Sequence, residues 1–235
     1  MFSSAHHEVV LAAGAPNPWF GTQYLSDYSD DVVSALQEHV VITISSVVLG
    51  LLLSIPLALL AQRSRVGEAL ILGTAGVIYA IPSISLLLIL YSTFDLGLSA
   101  VTVIVALTLY NILILVRNVL TGLRGVPDEA KEAATGMGFG TLRRILRVEL
   151  PLALPSITAG VRIATVNTVA LVTIGFAVGH GGLGGIITTG FKDNLYRQQV
   201  LTGVVLVVLL AVLFDLVLLL IQRLLTPWVR AEAAR

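Results

Sequence analysis

Residues 204–221 read VVLVVLLAVLFDLVLLLI, an apolar run in which Asp215 is the one ionisable residue. A helix of a water-soluble bundle carries a polar stripe at a period of 3.6 residues, and this run carries none. A membrane-spanning helix requires about 20 mostly apolar residues. The run therefore predicts a membrane span and argues against the alternative, a soluble helical bundle with a very apolar core.

The composition extends this prediction to most of the chain. Of the 235 residues, 56% are hydrophobic and 12% are charged, and the mean hydropathy is +0.94. Soluble domains carry about 25% charged residues. The formal net charge of zero gives no support for a nucleic-acid partner. Cysteine is absent, which excludes disulfides and thiolate metal sites, and no cofactor is expected.

Five windows have the length and apolarity of membrane spans: residues 40–61, 69–91, 98–116, 152–178 and 200–221. Pro56, Pro82 and Pro155 lie inside these windows, where neighbouring helices can satisfy the freed backbone groups. We expect an all-α integral membrane protein with five transmembrane helices that cross the bilayer. Residues 38–225 form the membrane domain, residues 1–37 an N-terminal segment and residues 226–235 a tail.

The N-terminal segment contains a short apolar run at residues 9–15, and Ala13-Gly14-Ala15 resembles a cleavage site. The residues before this run include no Lys or Arg, which a signal peptide requires. We expect a flexible or interfacial leader instead.

The positive charges predict the orientation in the membrane. All but three of the fourteen Lys and Arg residues fall on one side if the N-terminus is outside and five spans follow. The first 62 residues contain none, while Asp27, Asp30 and Asp31 precede the first span. The positive-inside rule places the N-terminus outside and the C-terminus in the cytoplasm.

A long polar loop, residues 117–151, separates the third and fourth spans. Pro127, Asp128 and Glu129 suit the start of a helix, and three nearby glycines would end it. Thr141 is expected to cap a second helix that Pro151 stops. The loop is predicted to form a rigid helix–turn–helix that can transmit force from a soluble partner.

The same loop carries a family resemblance. Its pattern resembles the EAA loop of ABC importer permeases: Glu132-Ala133-Ala134, then three residues, Gly138, nine residues, Val148, one residue and Leu150-Pro151. Val148 stands where that pattern has an isoleucine. The resemblance implies a type I, methionine-importer-like arrangement and a cytoplasmic coupling helix that docks on an ATPase subunit. The implied coupling residues are Glu132, Ala133, Ala134, Gly138, Leu150 and Pro151.

Further stretches between residues 38 and 225 resemble the osmoprotectant subgroup. They include residues 80–83 (AIPS), 149–155 (ELPLALP), 159–162 (AGVR) and 181–184 (GGLG). The resemblance implies import of glycine betaine, choline, carnitine or proline across the cytoplasmic membrane of a prokaryote; another small solute such as an amino acid is the alternative. It also implies ATPase subunits, a second permease copy, identical or paralogous, and a separate extracytoplasmic binding protein. We expect the solute pathway to involve Pro82, Ser83, Gly181, Gly182 and Gly184.

Two enzymatic alternatives are weaker. Residues 179–184 match the G-x-G-x-x-G dinucleotide fingerprint, but a membrane span precedes them instead of a strand. No Walker A sequence is present, so we expect the partner subunit to hydrolyse ATP. A membrane-embedded hydrolase could use Ser83, Ser85 or Thr173 with His180, but the known hydrolase motifs are missing. We expect His180 to be an exposed loop residue.

Arg162 and Asp215 are the ionisable residues that lie well inside the predicted spans. Each would cost about 3 kcal/mol if it were isolated in the membrane. Arg162 lies about 16 Å beyond Pro151 along a helix, and Asp215 lies about 10 Å before Gln222. Since both distances run from the cytoplasmic end, we predict an ion pair between the fourth and fifth spans. A gate or a solute contact is the functional alternative.

Aromatic residues that could hold a cationic solute are spread over four spans. They are Tyr79, Tyr91, Phe94, Tyr110, Phe176 and Phe214. We expect most of them to serve packing, which leaves selectivity mainly to the external binding protein.

Overall fold

The structure is a computed structural model that describes residues 17–94, 96–193 and 195–228. Residues 1–16 and 229–235 lie outside these ranges. The first stretch includes the predicted leader at residues 9–15, and the second belongs to the predicted tail. The helices are α1 Gln23–Asp27, α2 Ser29–Ala61, α3 Arg65–Ala80, α4 Ser83–Thr93, α5 Ala100–Arg124, α6 Asp128–Gly136, α7 Thr141–Arg144, α8 Leu150–Val172, α9 Leu183–Lys192 and α10 Arg197–Leu225. A π-helical turn, Ile145–Glu149, joins α7 to α8, and a 3₁₀ segment, Thr173–Val178, follows α8.

Four continuous helical stretches are long and apolar enough to cross a membrane, and α3 with α4 could supply a fifth crossing. The four stretches are Ser29–Ala61, Ala100–Arg124, Thr141–Val178 and Arg197–Leu225. The prediction of an all-α membrane protein is confirmed. The first of these helices begins at Ser29, well before the predicted window, because Asp30 and Asp31 stabilise its first turn at the positive end of the helix dipole.

The second predicted span is not one helix, since α3 and α4 are bent by 98° at Ile81 and Pro82. Proline disfavours a helical conformation in the residue before it, and Ile81 has the extended dihedrals φ −66°, ψ 130°. The freed carbonyl oxygen of Ile81 accepts a hydrogen bond from the Tyr110 hydroxyl at 2.5 Å. The bend is therefore supported by a partner on α5.

The expectation that Pro151 stops the second loop helix is wrong. The helix continues through this proline into α8, because the π turn before it shifts the hydrogen-bond register. Leu150 N–H donates to the carbonyl of Ile145, five residues back. Thr141 does not cap the helix either, since Gly140 occupies the capping position and no side chain caps it.

Helices α2, α5 and α8 pack together at the centre, and α10 packs on α8 and α9 at one side. Just 6% of the apolar window of α10 is buried within the chain. The outer face of α10 therefore requires a cover of lipid or of another protein chain.

Small polar side chains join the three central helices. Thr168 Oγ1 on α8 donates to Asn111 Oδ1 on α5 at 3.1 Å, and His39 Nε2 on α2 lies 3.0 Å from the carbonyl oxygen of Val169. A Cβ atom added at Gly50 would lie 2.9 Å from Asn111 Cβ. Close approach at small residues and hydrogen bonds between helices are how membrane helices associate, since lipid removes most of the hydrophobic driving force.

Candidate coupling and translocation sites

The EAA-like loop forms a short helix with a tight turn. Ala134 is buried, while Glu132 and Ala133 are exposed on α6. Gly138 has φ +80°, a left-handed conformation that favours glycine, and its N–H donates to Thr135 O at 2.9 Å. Leu150 and Pro151 lie one helical segment further on, at the start of α8. The structure thus places the predicted coupling residues on one helix–turn–helix unit.

A buried carboxylate joins the two ends of the π turn through which α7 continues into α8. Arg144 Nε donates to Glu149 Oε1 at 2.7 Å, and the Glu149 side chain is 5% exposed. Arg144 Nη1 also reaches Thr135 Oγ1 at 3.4 Å. Sequence reasoning missed this pair, because residues five apart do not share a face of a regular α-helix. The π turn between them brings the two side chains together.

The loop also presents apolar side chains to its surroundings. Met137, Leu142 and Leu146 are all more than half exposed. Exposed apolar patches of this kind mark interaction surfaces.

Arg124 at the end of α5 forms a bidentate pair with Glu68 in the first turn of α3. The two N–O distances are 2.9 and 2.6 Å. Because Arg124 is 53% exposed, solvent screens the pair and it contributes little to stability. It links the end of α5, where the chain enters the loop, to the start of α3.

Arg162 on α8 and Asp215 on α10 lie in contact, with side chains that are 26% and 36% exposed. Arg162 Nε donates to Asp215 Oδ1 and Nη2 donates to Oδ2, each at 2.9 Å. Nη1 lies 3.4 Å from Gln222 Oε1, which is about two helical turns beyond Asp215 on α10. The geometry is the planar fork that arginine forms with carboxylates.

This pair lines a cavity of about 710 Å³ between α8 and α10. Asn167 contributes an amide to the wall, and small residues such as Ala159 and Ala170 leave room. Asn167 was not singled out from the sequence; it lies five residues after Arg162, a spacing that gives no obvious signal.

A glycine turn before α9 packs against two other segments. A Cβ atom added at Gly184 would lie 2.2 Å from Thr173 O, and one added at Gly181 would lie 2.5 Å from Phe176 N. Gly182 has φ +50° and lies against His39. These glycines allow backbones to approach closely, as glycine does where membrane helices pack.

His180 lies in the loop before α9, as expected, but its side chain is 35% exposed and contacts α2. Its Nδ1 atom lies 2.7 Å from Glu38 Oε1, and Glu38 Oε2 accepts from the Gly182 N–H at 3.1 Å. The Thr173 hydroxyl, a candidate nucleophile of the hydrolase alternative, donates to the carbonyl of Ala170. Glu38 was missed because it lies 142 residues from His180 in the sequence.

A second cavity of about 490 Å³ lies beside this turn, with Asp31, Glu38, Phe176 and Lys192 in its wall. Gly181 and Gly182 also line it, whereas Pro82 and Ser83 lie at the bend between α3 and α4. Helix α4 and the 3₁₀ segment before the glycine turn share one apolar cluster. The five predicted pathway residues therefore belong to two neighbouring places and not to one.

The apolar crossings, the Arg162–Asp215 pair and the exposed helix–turn–helix define a multi-pass α-helical membrane protein. Residues 42–231 match the family described as "Binding-protein-dependent transport system inner membrane component", and the chain belongs to it. It is a permease component of the ABC importer class.

Three relatives illustrate the similarity. The choline transport system permease protein OpuBB of Bacillus subtilis is 35% identical over 206 residues, 87% of this chain and 93% of the relative. The glycine betaine/carnitine/choline permease protein OpuCB of the same species is 33% identical, with the same coverage. The osmoprotectant import permease protein OsmW of Salmonella typhimurium is 31% identical, covering 87% and 96%.

Solved structures agree on the fold. An inward-facing structure of the MetNI methionine ABC transporter has a TM-score of 0.71 and 25% identity, covering 83% of this chain and 96% of that one. A second structure of the same transporter has a TM-score of 0.75 and covers 85% and 98%, at 24% identity. The prediction of a methionine-importer-like fold is confirmed.

Proposed function

We propose that this chain translocates a quaternary-amine osmoprotectant such as glycine betaine, choline or carnitine, or the related solute proline. The observation that carries the proposal is the similarity to osmoprotectant permeases over 87% of the chain, at 31 to 35% identity. An amino acid is the alternative solute, supported by the likeness to a methionine transporter.

In the proposed mechanism, ATP is hydrolysed by separate ATPase subunits, and two permease copies frame the pathway. Glu132, Ala133 and Gly138 form the surface that docks on the ATPase, buried Ala134 packs beneath it, and Leu150 and Pro151 lie at its base. The Arg144–Glu149 pair makes this unit move as one body with α8, since a buried charge-assisted hydrogen bond resists separation. Closure of the ATPase dimer would then tilt α8 and switch access to the pathway.

A loaded binding protein would deliver the solute at the opposite face, next to the glycine turn. This assignment requires the N-terminus to lie outside and the C-terminus in the cytoplasm. Since the chain has no cysteine, single cysteines can report the orientation. Gln23→Cys should react with a membrane-impermeant maleimide on intact cells and Arg63→Cys should not; the reverse pattern would overturn the orientation.

The experiment for the function compares uptake of four labelled solutes at high osmolarity in cells with and without the chain. The solutes are glycine betaine, choline, carnitine and proline. We expect loss of at least one uptake activity when the chain is absent. Unchanged uptake of all four, with an ATPase still co-purifying, would remove the osmoprotectant assignment and leave the importer class in place.

A further inference from the structure

The cavity between α8 and α10 carries polar groups whose hydrogen-bonding capacity is not used by the chain. The guanidinium of Arg162 has five N–H donors. Two of them bind Asp215, and a third reaches Gln222 at the long distance of 3.4 Å. Within the part of the chain that the structure describes, two N–H groups are left for a further acceptor.

Asn167 lines the same cavity and carries a second donor group. Its Nδ2 atom is buried and has no hydrogen-bond partner among residues 17–94, 96–193 and 195–228. A buried amide without a partner is costly, and native structures rarely contain one without a reason. Because Nδ2 has almost no accessible surface as it stands, the amide would turn towards the cavity to meet an oxygen acceptor supplied by a ligand.

The size and depth of the cavity fit a small solute. Its volume of about 710 Å³ is typical of ligand pockets, about 300–1,000 Å³. Arg162 and Asp215 are 26% and 36% exposed in the single chain, and ionisable side chains at membrane depth face protein or a water-filled space instead of lipid. The cavity is therefore a candidate part of the pathway.

The charges of the site indicate which solutes fit. Free donors of Arg162 and Asn167 offer binding to an anionic oxygen, while the outer lone pairs of Asp215 attract a cation. The pair is neutral as a whole, so it favours neither a lone anion nor a lone cation. A zwitterion is also neutral, and its dipole can lie antiparallel to that of the pair.

We propose that Arg162 and Asn167 bind the carboxylate of a zwitterionic solute during its passage, with the solute's ammonium group towards Asp215. This inference rests on the proposed function and narrows it, since glycine betaine, carnitine and proline carry a carboxylate and choline does not. Asn167 would thus be a specificity-determining residue.

The test measures direct binding of labelled glycine betaine and labelled choline to the purified permease–ATPase complex in nanodiscs, without binding protein. Asn167→Leu should weaken glycine betaine binding about tenfold, the effect of one hydrogen bond to a charged group. Choline binding should change less than twofold. Thr74→Val, an exposed polar position on α3, is the matched control and should change neither.

The Asn167→Asp variant distinguishes a binding role from a structural one, because the affinities for the two solutes should not change in the same direction. A negative charge beside the carboxylate site should weaken glycine betaine binding and leave choline binding equal or tighter. Equal losses for both solutes, unchanged binding of both, or a wild-type complex that binds choline alone would overturn the inference.

Failure of the proposed function gives a different pattern. If the wild-type chain imports none of the four solutes, the same variants are tested with an amino acid and its amide. Selective loss of the amino acid in Asn167→Leu would keep the carboxylate site and refute the osmoprotectant assignment. Equal binding of the amino acid and its amide would refute both.

Discussion

Removing Arg162 tests whether the intramembrane ion pair stabilises the protein. In Arg162→Met, Asp215 is left as an unpaired carboxylate at membrane depth. Breaking a buried pair on one side costs about 3–5 kcal/mol, and the partial exposure of both side chains lowers our expectation to about 2 kcal/mol. At about 2–4 °C per kcal/mol for a chain of this size, the apparent Tm should fall by about 4–8 °C.

The double variant Arg162→Met/Asp215→Asn tests whether the loss of stability comes from leaving one charge unpaired or from losing the individual side chains. It removes both charges, so it should recover most of the lost stability, because two neutral groups carry no desolvated charge. The assay is thermal unfolding of the purified complex in detergent. Arg63→Met, an exposed cation at the end of α2, is the control and should stay within about 2 °C of wild type.

Two results would refute this reasoning. The first is an Arg162→Met protein as stable as Arg63→Met. The second is a double variant whose loss of stability equals the sum of the losses in Arg162→Met and Asp215→Asn. The effects of independent residues on stability are additive, whereas those of coupled residues are not.

Two glycine pairs give the other predictions. Gly184→Ala should destabilise the purified protein by about 1–3 kcal/mol, because its Cβ would lie 2.2 Å from Thr173 O. The control is Gly73→Ala on α3, whose Cβ meets nothing within 4 Å among the described residues, and it should be neutral or stabilising. Equal melting temperatures of the two variants would contradict the packing. Gly138→Ala should lower the amount of ATPase that co-purifies with the permease, since a left-handed residue with a Cβ costs about 1–2 kcal/mol, while Gly136→Ala at the end of α6 should not. Unchanged co-purification in Gly138→Ala, or an equal loss in Gly136→Ala, would remove this turn from the ATPase contact.

The helical membrane fold follows from the sequence because long apolar runs leave few alternatives. The stretch within α10 predicts its own span, and the depths of Arg162 and Asp215 predict that they meet. Both inferences use properties that a single helix carries along its length. They hold without knowledge of the tertiary contacts.

The proline positions show where such reasoning ends. Pro56 lies inside the unbroken helix α2, Pro82 lies at a 98° bend, and Pro151 lies in a helix that continues past it. The Tyr110 hydroxyl supports the bend at Pro82 through a tertiary hydrogen bond. The π turn that begins at Ile145 changes the hydrogen-bond register and lets the helix continue through Pro151. Neither is visible in the local pattern.

The site residues that were missed share one property: their partners are distant or out of register. Glu38 meets His180 across 142 residues, and Arg144 meets Glu149 through a π turn. The Asn167 Nδ2 atom is buried without a partner among the residues that the structure describes, which is a property of the packed structure alone. A single sequence gives no signal for any of these contacts.

The most direct test of the account is solute accumulation in proteoliposomes that contain this permease, the ATPase that co-purifies with it and its binding protein. The account predicts ATP-dependent accumulation of labelled glycine betaine, carnitine, choline or proline, which stops when the permease is omitted. Active ATPase in the same vesicles without accumulation of any of the four solutes would contradict it.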